Sequence, residues 1–193
     1  MIDFASKPLF LAPLAGYTDP PFRSVVKKFG VDVTVSEMIS SNALVYGSDK
    51  TLKMIEKSPL ETPYSVQIAG SDAEVVRKSV EILNEIEGID IIDLNAGCPA
   101  KKVVNNMQGS ALLKDLKNFA KIIETIKKES NKPMTSVKIR IGFSKKEGIE
   151  IAKVAESAGA DFIVVHGRTR EQFFGGSVDY EEIANIKEAI KIP

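Results

Sequence analysis

Ser136-Val137-Lys138-Ile139-Arg140-Ile141 alternates strictly: extended, it puts Val137, Ile139 and Ile141 on one side and Lys138 and Arg140 on the other. The apolar side suits a covering layer of helices. The other side carries two cations, and burying an unpaired cation costs several kcal/mol after relaxation, so an anionic or strongly accepting ligand is implied. The same parity sets Val66 and Ile68 against Gln67, Ile92 and Leu94 against Asp93 and Asn95, and Ile163 and Val165 against His166. In one isolated strand such alternation would merely separate the core of a half-solvated antiparallel sheet from water. Its recurrence in strands separated by helical stretches points instead to a closed sheet with polar groups inside.

Working outward, segments 9–14, 33–38, 64–69, 89–95, 136–141 and 162–166 read as strands. Asp19 before Pro20 and Pro21 caps a helix that runs to Gly30. Ser71 with Glu74, and Ser144 with Glu147, have capping-box spacing, and Gly88 and Gly159 lie where a left-handed helix end is wanted. Further helices are expected over 116–129 and 180–191, with shorter pieces between 40 and 56. Strict alternation of strand and helix implies parallel strands joined by crossovers. A doubly wound dinucleotide fold would place a glycine fingerprint after its first strand, where this chain has Ala15, Gly16 and Tyr17. The expectation is therefore an α/β fold of the (β/α)8 TIM-barrel type. Such a barrel takes about 250 residues and eight units, so residues 1–193, with about six strands, read as the N-terminal part of one barrel domain. Its first and last strands would be open edges, prone to self-association.

With 44% hydrophobic residues, the chain can bury a sizeable core. It has no run near the roughly 20 apolar residues needed to cross a bilayer, and its opening lacks the parts of a secretory signal; a cytoplasmic protein without membrane contact is expected. One cysteine excludes an internal disulfide, and one Cys with one His falls short of the usual zinc ligand set. Lys plus Arg and Asp plus Glu both number 26, so attraction to a polyanion must come from a local patch.

Barrel active sites form at the C-terminal ends of strands, where Pro13, Gln67, Asn95, Lys138 and His166 all fall. Glu37, another strand end, reads as a structural partner of Lys138 or Arg140. Directly after the fourth strand comes Asn95-Ala96-Gly97-Cys98-Pro99. Gly97 permits close backbone approach and Pro99 fixes the following path, so Cys98 is held on a stiff loop over the barrel mouth.

These motifs resemble those of the tRNA-dihydrouridine synthases over essentially the whole chain, nearest to the bacterial B-type branch. The likeness rests on Ala12-Pro13-Leu14-Ala15-Gly16 with Thr18-Asp19 and Phe22-Arg23, on Gln67-Ile68-Ala69-Gly70, and on the Cys98 loop. Gly109-Ser110-Ala111-Leu112-Leu113 and Val165-His166-Gly167-Arg168-Thr169-Arg170 with Gln172 continue it in order. Leu14 stands where methionine is common in the family.

The resemblance implies a flavin mononucleotide (FMN) enzyme that reduces the C5–C6 bond of uridine in tRNA, with NADPH as reductant. Pro13, Leu14 and Ala15 would lie beside the flavin ring, Gln67 and Lys138 would bond its polar edge, and His166 would make a further contact. Cys98 would donate a proton to C5 while hydride reaches C6. An ordinary thiol, with a pKa of about 8.5, is mostly protonated at neutral pH and suits that role. Asn95 would help place the base, and Lys101, Lys102, Arg140, Arg168 and Arg170 are candidate substrate contacts. The target base must leave its stack to reach the site. No metal is implied. Because barrel phosphate sites commonly follow strands seven and eight, residues 1–193 alone are expected to bind flavin weakly and to be inactive. Two other readings are a flavin barrel oxidoreductase of the dihydropyrimidine or dihydroorotate dehydrogenase kind, and a catalytically silent RNA-binding module.

Overall fold

The computed structural model describes residues 2–193. In chain order it comprises β1 (Phe10–Leu11), α1 (Pro20–Lys27), β2 (Val33–Val35), β3 (Ile39–Ser40), α2 (Ser41–Val45), α3 (Asp49–Met54), β4 (Tyr64–Ala69), α4 (Ala73–Asn84), β5 (Ile91–Ala96), α5 (Lys101–Asn105), α6 (Leu116–Glu129), β6 (Met134–Arg140), α7 (Gly148–Ser157), β7 (Phe162–His166) and α8 (Tyr180–Ala189). Short 3-10 turns cover Phe4–Ser6 and Gly109–Lys114. All strands are parallel in one sheet, in the order β1-β2-β4-β5-β6-β7, with β3 pairing the end of β4.

The sheet curls into an incomplete barrel. Phe10 of β1 and Phe162 of β7, at opposite ends of the strand order, have ring centroids 5.6 Å apart, and Phe4 packs on Phe162 at 5.2 Å. These rings plug the N-terminal end of the barrel. Outside, Val66, Ile68, Ile92, Leu94, Val137 and Ile139 are fully buried against the helices. The facing helices supply matching stripes: Val76, Ser79, Val80 and Leu83 on α4, and Phe119, Ile122, Ile123 and Ile126 on α6. Both follow the three-and-four spacing of one helical face.

Several expectations need refinement. The first two strands are shorter than read. Pro13 has no N–H to give a ladder, and beyond Val35 the chain bulges. Four steps from Val35 to Ile39 oppose three from Ser65 to Ile68, and the Ser36 hydroxyl accepts the Gln67 N–H at 3.0 Å in place of a strand carbonyl. The bulge restarts pairing as β3, a seventh strand at the junction between the strand read over 33–38 and the helical pieces expected from 40.

Asp72, not Ser71, caps α4, its Oδ1 accepting from the Glu74 and Val75 N–H groups; a carboxylate is the stronger partner for a helix N-terminus. The Ser144–Glu147 capping box does not form. Glu147 is the cap residue without a side-chain bond, and its carboxylate pairs with Lys145 at 2.9 Å. Gly159 follows the end of α7 with φ +95°, as expected, whereas Gly88, at φ +76°, lies beyond the Glu85 cap. The outer edge of β7 is not wholly open, since the Ile163 N–H donates to the Pro193 carbonyl at 3.0 Å. No helix among the described residues is long and apolar enough to cross a membrane.

Candidate active site

Because all strands run the same way, their C-terminal ends share one rim, and a cleft of about 420 Å³ opens there. Pro13, Leu14 and Ala15 enter it from the loop after β1, Gln67 from β4, Asn95 from β5, Lys138 and Arg140 from β6, and His166 from β7. Gly97, Cys98 and Pro99 form part of its wall. Eight of the residues singled out from sequence, Cys98 included, thus meet with Arg140 in one cavity.

Beneath the cleft the inward side chains bond to one another. Ser136 Oγ donates to Asp93 Oδ1 at 2.6 Å, and Gln67 Nε2 donates to Asp93 Oδ2 at 2.6 Å. Asn95 Nδ2 donates to Gln67 Oε1 at 2.8 Å, while Asn95 Oδ1 accepts the backbone N–H groups of Gly97 at 3.1 Å and Cys98 at 2.9 Å. The Cys98 carbonyl accepts from both Ser110 N (3.1 Å) and Ser110 Oγ (2.9 Å). The thiol residue is therefore held by hydrogen bonds at its amide and its carbonyl.

Electrostatics follow from this crowding. Burial pulls the Lys138 ammonium below the usual lysine range, opposed by Asp93 and reinforced by Arg140. Burial raises the Asp93 carboxyl, opposed by the hydrogen bonds from Ser136 and Gln67 and by the charge of Lys138. His166 is pushed down to about 4 by burial and then by Arg140, Lys138 and Arg168, so its ring is neutral at physiological pH. Its Nδ1 is buried without a hydrogen-bond partner.

Arg140 has a different disposition from that of a free substrate contact. It is 2% exposed, its Nε donates to the Gly97 carbonyl, and its Nη1 donates to the carbonyls of Thr169 and Phe173. Lys101, Arg168 and Arg170 do not line the cleft. Lys101 is exposed at the start of α5, Arg168 Nη2 donates to the Gly176 carbonyl at 3.1 Å, and Arg170 lies over the Phe143 ring at 5.3 Å. Glu37 pairs with neither Lys138 nor Arg140; its Oε1 accepts the Gly16 N–H and braces the loop after β1.

The sequence reading missed Phe173, Phe174 and Met38, which line the cleft, and gave Asp93 no role. The paired aromatics after Gln172 were the available signal, because two large apolar side chains beside glycines in a loop have no core of their own to fill. With them the cavity has an apolar wall, a half-buried cation and an unpartnered ring nitrogen. That donor set fits a planar heteroaromatic ring with an electron-rich polar edge, as in a flavin. No group of three or more potential metal ligands occurs among the described residues.

The family model described as Dihydrouridine synthase (Dus) matches residues 10–193. The chain is 55% identical over 194 residues to a probable tRNA-dihydrouridine synthase of Helicobacter pylori (strain ATCC 700392 / 26695), with 100% of this chain and 59% of the relative covered. It is 45% identical over 191 residues to a probable tRNA-dihydrouridine synthase of Rickettsia bellii, covering 97% and 58% respectively. It is 42% identical over 191 residues to tRNA-dihydrouridine synthase B of Pseudomonas aeruginosa, covering 96% and 56%. The chain thus spans less than two thirds of the length of these relatives.

Proposed function

This chain belongs to the dihydrouridine synthase family, and we propose that its protein reduces uridine in tRNA to dihydrouridine in the cytoplasm, with FMN in the cleft and NADPH as the source of electrons. The observation that carries this reading is the meeting of Gln67, Asn95, Lys138 and His166 around one cavity with Cys98 in its wall.

Pro13, Leu14, Ala15, Gln67, Lys138 and His166 would hold the flavin, which when bound supplies hydride to C6 of the uracil. Lys138 balances negative charge at the ring's polar edge, a role for which a half-buried cation is well suited. Neutral His166 offers Nδ1 as a polar contact without adding a second charge. Cys98 delivers a proton from Sγ to C5, completing addition across the double bond. Asn95 holds the turn that carries the thiol and borders the cavity that receives the base. Arg140 ties that turn to the loop over 169–173. Arg168, Arg170 and Lys101 lie outside the cavity, where they would meet the RNA backbone and help keep the flipped-out base in place.

The decisive experiment is mass spectrometry of tRNA from cells lacking the full-length protein. Dihydrouridine should vanish at one or a few positions, return with the wild-type gene, and not return with Cys98→Ala. Unchanged dihydrouridine, or purified enzyme that reduces free uracil but not unmodified tRNA, would replace this reading with a small-molecule reductase.

A further inference from the structure

Asp93 is 4% exposed, faces the barrel interior below Asn95, and plays no part in the steps above. Gln67 Nε2 donates to Asp93 Oδ2 at 2.6 Å, so the NH2 end of the Gln67 carboxamide is the end that meets Asp93. This leaves the Gln67 carbonyl facing β5, where it accepts from Asn95 Nδ2. Asn95 then has only its carbonyl for the turn, and that oxygen takes the Gly97 and Cys98 N–H groups. Ser136 occupies the second Asp93 oxygen. Each amide in this relay is oriented from its buried end, and the far end is the backbone of the thiol residue.

We propose that Asp93 is a positioning residue, whose buried carboxylate fixes the direction of the Gln67–Asn95 relay and thereby holds the turn that presents Cys98 to the cleft. The inference rests on the reading of Cys98 as the proton donor and names what keeps it in place.

The test uses the full-length flavin-loaded protein, with alkylation of Cys98 by iodoacetamide followed by mass spectrometry of its peptide. Asp93→Leu should change the alkylation rate by at least about fivefold and slow tRNA uridine reduction by roughly 10- to 100-fold, as expected when a reacting group is misplaced. Asp93→Asn should stay within about twofold of the wild-type alkylation rate. Asparagine can turn its oxygen to Gln67 and its NH2 to the Ser136 hydroxyl, which accepts as well as donates. If Asp93→Leu does not fold, Asp93→Ala removes the same carboxyl with less bulk and must produce the same change in alkylation. Wild-type alkylation in the leucine variant, or an asparagine variant as damaged as leucine, overturns the proposal. Wild-type protein without tRNA activity would instead remove the functional reading, while alkylation would still decide the relay.

Discussion

Arg140 Nε donates to the Gly97 carbonyl at 2.8 Å, joining β6 to the turn that carries Cys98. The same guanidinium reaches the Thr169 and Phe173 carbonyls at 2.9 and 2.8 Å, so one side chain links two loops of the cleft. Its Cζ also lies 5.6 Å from the Phe174 ring centroid. Lysine has no planar fork to bridge three carbonyls. Arg140→Lys should therefore lower stability by about 2–4 kcal/mol through carbonyls left without donors. Urea unfolding checks this, and an unchanged midpoint would show that the loops hold themselves.

Lys138 should separate stability from ligand binding. A half-buried cation weakens the ligand-free fold, and exchange for an apolar side chain of similar length is often neutral or stabilising. Lys138→Met should leave the thermal midpoint of the flavin-free protein unchanged or raised, while weakening flavin binding by about tenfold or more. Titration followed by visible absorbance measures the second effect. Equal flavin affinity in the variant would sink the role given to Lys138.

His166 is the single histidine of residues 1–193, which makes its titration easy to follow in this chain. Its folded pKa, about 4, lies below the ordinary 6.5. Between those values the unfolded chain takes up the proton first, so the stability due to this group is intact above pH 6.5 and is lost as pH falls toward 4. The ring C2-proton shift should stay flat from pH 8 to well below 6.5. His166→Gln should flatten the acid side of the stability profile. A ring midpoint near 6.5 would mean that solvent reaches it freely.

Gly109 has φ +60°, and a Cβ built there would stand 2.9 Å from the Cys98 carbonyl oxygen and 3.0 Å from Cys98 Cβ. Both neighbours belong to the residue that carries the thiol. Gly109→Ala should cost about 1–3 kcal/mol of stability and move the Cys98 turn. Calorimetry with the alkylation assay reads both effects, and a variant with wild-type values for each would show that the turn yields without strain.

Much of this protein was legible before its folding was known. The alternation in 136–141 fixed which side of β6 meets the helices, because side-chain direction in an extended chain depends only on position. The expected span of α6, 116–129, matches its observed extent, Leu116–Glu129, since its apolar positions recur along one helical face. Cys98 stood out through its neighbours Gly97 and Pro99, whose backbone limits are local properties.

What the chain alone left open depended on distant partners. Arg140 reads as a free cation in sequence, and only the return of the loop over 169–173 supplies the carbonyls that occupy it. Asp72 caps α4, while the Ser71 hydroxyl donates instead to the Asn106 carbonyl 35 residues away, a partner that local spacing does not reveal. Asp93 acquired meaning only when parallel pairing set it level with Gln67 of β4 and Ser136 of β6, within hydrogen-bond reach of both. Periodicity specifies which way a side chain points, whereas its partner is chosen by which strands the tertiary fold sets side by side.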